Sequence, residues 1–134
     1  MKKTSLPAAV GVSGLLFAMP VFGHHSFSAE FDADKPLTLT GTVTKVEWQN
    51  PHTWFYIDVK DEAGNVVNWG LELASPNLLL RNGWTRSTMK EGDVVTVESF
   101  QAKNGSNIAN ARSITLTATG QKLLGGSSQS GSAQ

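Results

Sequence analysis

The chain has 134 residues, with 11 Lys and Arg against 11 Asp and Glu, no Cys and 40% hydrophobic residues. This composition is typical of one small domain and leaves no disulfide framework. Without Lys2 and Lys3, which lie in a segment expected to be removed, the 11 basic side chains become 9 against 11 acidic ones, a formal charge of −2. Because no basic stripe is present, a nucleic-acid partner is disfavoured.

The first 23 residues have the pattern of a signal peptide. A basic start, Met1-Lys2-Lys3, precedes residues 6–22, which carry no charge. Pro and Gly interrupt this run, which is marginal against the roughly 20 apolar residues that span a bilayer, so cleavage is favoured over a retained anchor. Small-residue preference places the cut after Gly23, making His24 the mature N-terminus. No Cys follows that could carry a lipid. We expect a soluble periplasmic protein without a stable membrane anchor.

The body of the chain has strand patterning. Residues 37–48 alternate apolar with hydroxyl or charged residues, which predicts a first strand. Gly41 interrupts this strand, as is typical where one strand bends to take part in both halves of a small barrel. A second strand, Trp54–Lys60, and a third over residues 66–73 flank a hairpin loop and are expected to pair antiparallel.

One short helix and two more strands follow. Ser75-Pro76 is a helix start and Gly83 a stop, so residues 77–82 are predicted helical. Residues 94–100 and 108–117 are the fourth and fifth strands. The predicted class is all-β: a small five-stranded OB-like barrel with one short helix between strands 3 and 4. The predicted core is Phe55, Ile57, Val59, Val67, Leu71, Val95 and Val97, and the predicted solvent-facing set is Asp58, Lys60, Glu72 and Glu98.

Four segments follow from these patterns. Residues 1–23 are the signal peptide, 24–36 a separate N-terminal arm, 37–119 the OB-like barrel domain, and 120–134 a Gly/Ser-rich tail. Beyond its two leucines the tail has no apolar residue larger than Ala, so it is predicted to be disordered.

Several short motifs resemble a family of exported bacterial proteins known as domain of unknown function 6152. They are His24-His25-Ser26-Phe27, Phe31-Asp32, Gly41-Thr42-Val43, Trp48-Gln49-Asn50-Pro51-His52, Trp69, Gly83-Trp84 and Glu91-Gly92-Asp93. The resemblance extends from residue 24 to about residue 122. It implies an exported small β-domain and supplies no established activity or catalytic residues.

The three histidines, His24, His25 and His52, are the candidate metal ligands. At a mature N-terminus, the α-amino and ring nitrogens of His24 can chelate one ion, and His52 can add a second imidazole. These are nitrogen ligands of the kind that copper prefers. The alternative is structural: a solvated His-His start, and a His after Asn-Pro that caps a turn. In the familiar amino-terminal copper pattern His is the third residue, whereas Ser26 stands there in this chain.

Aromatic side chains indicate a second kind of site. Trp54 and Tyr56 fall on the strand face opposite Phe55 and Ile57, where they can stack on sugars, bases or a partner's side chains. Asn50, in the preceding loop, completes this predicted ligand-binding set. The alternative is packing, which is favoured for the other three tryptophans.

Enzymatic motifs are absent. The sequence has no Gly-x-Ser-x-Gly elbow, no Cys nucleophile, no His-Glu-x-x-His and no Gly-rich phosphate loop. We therefore expect a binding module for a small ligand, a metal ion or a protein partner outside the cytoplasm. The alternative is a structural or protein-interaction module without metal.

Overall fold

A computed structural model describes residues 25–126, and their side chains from Phe27 onward. These described residues form six strands and two short helices, which confirms a predominantly β domain. In chain order they are α1 His25–Glu30, β1 Phe31–Glu47, β2 Trp54–Lys60, β3 Val66–Glu72, α2 Pro76–Arg81, β4 Val94–Ala102, β5 Ile108–Leu116 and β6 Lys122–Leu124. The predicted signal peptide and its cleavage site lie outside the described residues.

The six strands form one sheet in the order β3-β2-β1-β4-β5-β6, with an additional pairing between β3 and β5. The β3–β5 pairing is parallel, and the other five are antiparallel. Each of the strands β1 to β5 therefore has a partner on both sides, and the pairing returns from β5 to β3.

The long strand β1 is shared between two partners. It pairs with β4 from Phe31 to Thr42 and with β2 from Thr42 to Glu47. Gly41 lies at the changeover, where an added Cβ would collide with the backbone oxygen of Asp58. The predicted role of Gly41 as a bend therefore has a physical cause in the close approach of two backbones.

Most of the predicted core is confirmed. Five members of that set are fully buried: Phe55, Ile57, Leu71, Val95 and Val97. The other two, Val59 and Val67, are half-buried. Asp58, Lys60 and Glu98 are exposed as predicted. The prediction is wrong for Glu72, which is only 6% exposed. Alternation along a strand places Glu72 on the outer face, but it does not reveal which other segments cover that face.

Residues 25–36 do not form the separate arm that was predicted for residues 24–36. The segment begins with α1, and β1 already starts at Phe31 and pairs there with β4. Phe27, Phe31 and Ala102 form a second buried cluster, against which Phe100 packs. Burial of these aromatic rings fixes the segment to β4, because removing apolar area from water stabilises the contact.

The predicted disorder of residues 120–134 is wrong for β6. This strand pairs with the second half of β5, and its Leu123 is buried. The indole Nε1 of Trp84 donates a hydrogen bond to the carbonyl oxygen of Leu124 over 3.2 Å. Three residues are too few to show a period, so their neighbours rather than their sequence pattern reveal the strand.

The predicted helix is present as α2. Its N-cap Ser75 accepts a hydrogen bond from the backbone N–H of Leu78, and Gly83 follows its end with a φ of 90°. Leu79 is buried and lies on the inner side of this helix. Neither helix of the described part has the length and hydropathy that crossing a membrane requires.

Candidate functional site

His52 lies in the loop between β1 and β2, next to the end of β3. The Asn50–Pro51 peptide bond in this loop is cis. Thr53 then fixes the end of the loop, because its N–H donates to Ala74 over 3.0 Å and its carbonyl accepts from Leu73 over 2.8 Å. These bonds hold the residue next to His52 against the chain that follows β3. Asn50 is exposed, and its side chain makes no hydrogen bond within the described residues.

His52 faces a buried carboxyl group. Its Nδ1 lies 3.6 Å from Oε2 of Glu72, and Nδ2 of Asn110 donates a 3.2 Å hydrogen bond to Oε1 of Glu72. Glu72 and Asn110 are buried, whereas the His52 side chain is 28% exposed. The strand register explains this grouping, since Glu72 and Asn110 are direct partners in the β3–β5 pairing. With Nδ1 turned towards the carboxyl group, Nε2 is the ring nitrogen left for another partner.

The surroundings of Glu72 favour its neutral form. The pKa of Glu72 is raised from its ordinary 4.5 to about 7, mainly by burial and also by the negative charge of Glu30, while the hydrogen bond from Asn110 acts in the opposite direction. The end of α1 lies near this group, because Glu30 and Trp54 line one cleft and Trp54 is directly opposite Glu72 in the β2–β3 pairing. The N-terminal segment and the loop of His52 therefore meet around one carboxyl group.

Of the two predicted aromatic ligands, only Trp54 lies beside this group. Trp54 is directly opposite Glu72 in the β2–β3 pairing and is half-buried. Tyr56, opposite Gly70, donates its hydroxyl to Oε2 of Glu47 over 3.3 Å, and the Lys45 ammonium lies 5.9 Å from its ring centre. The hydroxyl of Tyr56 is thus engaged within the β1–β2 pair.

The candidate metal ligands are only partly described. Across residues 25–126, no cluster of three His, Cys, Asp or Glu side chains could hold a metal ion. His24 lies outside the described residues, and the side chain of His25 is not described. Within the described part, His52 is the imidazole available for a site.

Glu72 and Asn110 were not identified as site residues from the sequence. Each is a single polar residue inside a short apolar run, Leu71-Glu72-Leu73-Ala74 and Ala109-Asn110-Ala111. A lone polar residue in such a run is a signal of a buried polar partner, because a buried polar group needs a hydrogen bond. Their mutual contact depends on a pairing across 38 residues.

Comparison with known protein families covers the part of the chain that contains this site. The model of a family of unknown function, domain of unknown function 6152, matches residues 14–111. The chain belongs to this family. The match to domain of unknown function 6152 includes His52, Trp54, Glu72 and Asn110, so the whole candidate site lies within it. No curated protein matches the chain.

Proposed function

We propose that the mature chain is a periplasmic, non-catalytic binding module with an OB-like barrel, which binds one Cu(II) ion through His24 and His52. The barrel is supported by the return of the strand pairing from β5 to β3 and by a helix between β3 and β4. Export and cleavage are supported by the pattern of the first 23 residues.

The observation that carries the copper proposal is the orientation of His52. A metal-binding His commonly donates its second ring N–H to a carboxylate, which fixes the tautomer and the ring. The approach of Nδ1 to Glu72, which is itself bonded to Asn110, brings the two groups into this arrangement, although 3.6 Å is longer than a hydrogen bond. It supports Nε2 as the ligand atom.

The position of α1 supports His24 as the second contributor. The helix has six residues, about 9 Å in length, and its last residue is Glu30, whose charge acts on Glu72. Residue 24 immediately precedes the helix in the sequence, and as part of this proposal it reaches the His52 loop. The α-amino group and ring of His24 then chelate the ion, and His52 adds the third nitrogen.

The donor set favours copper over zinc. Nitrogen ligands bind Cu(II) more tightly than Zn(II) in the usual affinity order of divalent metals. The α-amine and both imidazoles must lose their protons to bind, so affinity falls as the pH is lowered. His25 is the neighbouring ring and cannot replace the chelate formed by the terminal residue.

Calorimetry of the cleaved protein with Cu(II) and Zn(II) tests the proposal. We expect one tight Cu(II) site that is strongly weakened in His52→Ala, and equally weakened when one Ala is added before His24. His25→Ala is the matched control and should bind nearly as well as wild type. Absence of saturable copper uptake, or unchanged affinity in His52→Ala, rejects the copper site and leaves the protein-interaction alternative.

A further inference from the structure

A second recess lies beside the His52 group, and His52 is not among the described residues that line it. This open cleft of about 410 Å³ lies between the end of α1, the start of β2 and the loop that joins β4 to β5. Its volume is within the range of small-molecule sites. The lining residues used below are Glu30, Phe31, Trp54, Lys103, Asn104 and Ser106.

Backbone and side-chain bonds define the shape of this cleft. The N–H of Lys103 donates to the carbonyl of Glu30 over 2.8 Å, which joins α1 to the β4–β5 loop. Within the loop, the N–H of Ser106 donates to Oδ1 of Asn104 over 3.0 Å. Because the amide oxygen of Asn104 is engaged, its Nδ2 is left to donate to a ligand.

The polar groups of the cleft have unused hydrogen-bonding capacity. The Oγ of Ser106 is buried and has no hydrogen-bond partner within the residues that the structure describes. A buried hydroxyl without a partner is unfavourable, and a rotation of the Ser106 side chain that turns its Oγ into the cleft would let a ligand hydroxyl satisfy it. Glu30 and Lys103 are exposed, and neither takes part in the salt bridges of the described residues.

The combination of groups selects a chemical class. One carboxylate and one ammonium cancel in charge, and together with a hydroxyl and an amide they offer both donors and acceptors. The half-exposed indole of Trp54 adds a flat apolar surface. A phosphate-bearing ligand would bring negative charge that this balanced pair does not neutralise, and a purely apolar ligand would leave these polar groups unpaired.

We propose that this cleft binds a neutral sugar, with one pyranose ring stacked on Trp54. The apolar C–H face of the ring covers the indole, and its hydroxyls bond to the Ser106 hydroxyl, the Asn104 amide, the Glu30 carboxylate and the Lys103 ammonium. This site goes beyond the proposed copper function, because it requires neither His24 nor His52.

Nuclear magnetic resonance of the indole N–H groups tests the sugar site in the purified protein. The probes are cellobiose, lactose and chitobiose at millimolar concentrations, with glycerol as a polyol that cannot stack. We expect at least one disaccharide to shift the Trp54 indole signal saturably, and glycerol to leave it unchanged. No saturable shift with any of the three, or a tighter response to adenosine monophosphate, overturns the proposal.

Variants separate stacking from general damage to the fold. Trp54→Ala should weaken binding at least about tenfold, and Trp54→Phe less, because a smaller aromatic face remains. Ser106→Ala should also weaken it. Tyr56→Ala is the matched control, since Tyr56 lies on the same strand face but outside the cleft. With these variants monitored by isothermal titration, equal affinity in Trp54→Ala and wild type overturns the stacked geometry.

Discussion

Glu72 is a carboxyl group whose pKa the fold raises to about 7, mainly by burial and also by the charge of Glu30. Isolating such a group from water disfavours its ionised form unless charges or donors compensate. Asn110 supplies one donor, which lowers the pKa only in part. The folded state therefore binds this proton more tightly than the unfolded chain does.

The raised pKa of Glu72 predicts a pH-dependent stability. Its contribution is complete below the ordinary pKa of 4.5 and is lost as the pH rises through about 7. The change corresponds to about 3 kcal/mol at most. Urea unfolding with a metal chelator, at about pH 5 and about pH 8, should show wild type weaker at the higher pH.

Glu72→Gln removes the titrating group and should reduce this difference. The matched control is Glu98→Gln, because Glu98 is exposed and its pKa is lowered, first by the hydrogen bond from Ser113. Its contribution has the opposite sign, being lost as the pH falls. An unchanged pH dependence in Glu72→Gln would contradict the assignment.

At the candidate site, the sequence identified residue types that local pattern can reveal. His52 stands out as a rare residue type in a loop, and Trp54 stands out as an aromatic residue on the outer face of a strand. Glu72 and Asn110 could not be paired, because their contact depends on the parallel β3–β5 register. The sequence also could not show that only Trp54 lies beside Glu72, because Trp54 and Tyr56 share one face of β2.

At the scale of the element, β1 depends on a residue without a side chain where its partner changes from β4 to β2. Gly41→Ala would place a methyl group against the Asp58 carbonyl. We expect a loss of about 1–3 kcal/mol, or more if the strands cannot shift. Gly64→Ala is the control: its φ of 82° disfavours a side chain, but no atom lies within 4 Å of the added carbon. Thermal unfolding showing a smaller loss for Gly41→Ala than for Gly64→Ala would contradict this role.

The short strand β6 should contribute to stability despite its three residues. Its Leu123 is buried, and the carbonyl of Gly125 accepts a 2.9 Å hydrogen bond from Ala74. Deleting residues 122–134 should therefore lower the denaturation midpoint. Deleting residues 127–134, which contain no apolar residue larger than Ala, should leave it nearly unchanged. Equal midpoints for both truncations would show that β6 is dispensable.

At the scale of the whole molecule, the order of elements along the chain was more predictable than the pairing of strands that are distant in sequence. Five strands and one helix follow from local alternation and capping residues, and the structure contains each of them. The β3–β5 pairing joins segments separated by the helix and β4, so no local pattern specifies it. The docking of Phe27 and Phe31 is likewise tertiary, because an isolated six-residue helix is too short to be stable alone.

This docking makes the position of the mature N-terminus decisive for the proposed function. Cleavage after Gly23 leaves 134 − 23 = 111 residues and places the free amine of His24 directly before α1. Intact mass measurement and N-terminal sequencing should therefore show that the exported protein begins at His24.

Because the position before the cut requires a small residue, Gly23→Trp should block processing, whereas Phe22→Trp, one position earlier, should be processed normally. A terminus at Met1 would indicate a retained anchor. A terminus at His25 or later would remove the His24 chelate, and copper binding would then have to depend on side chains alone.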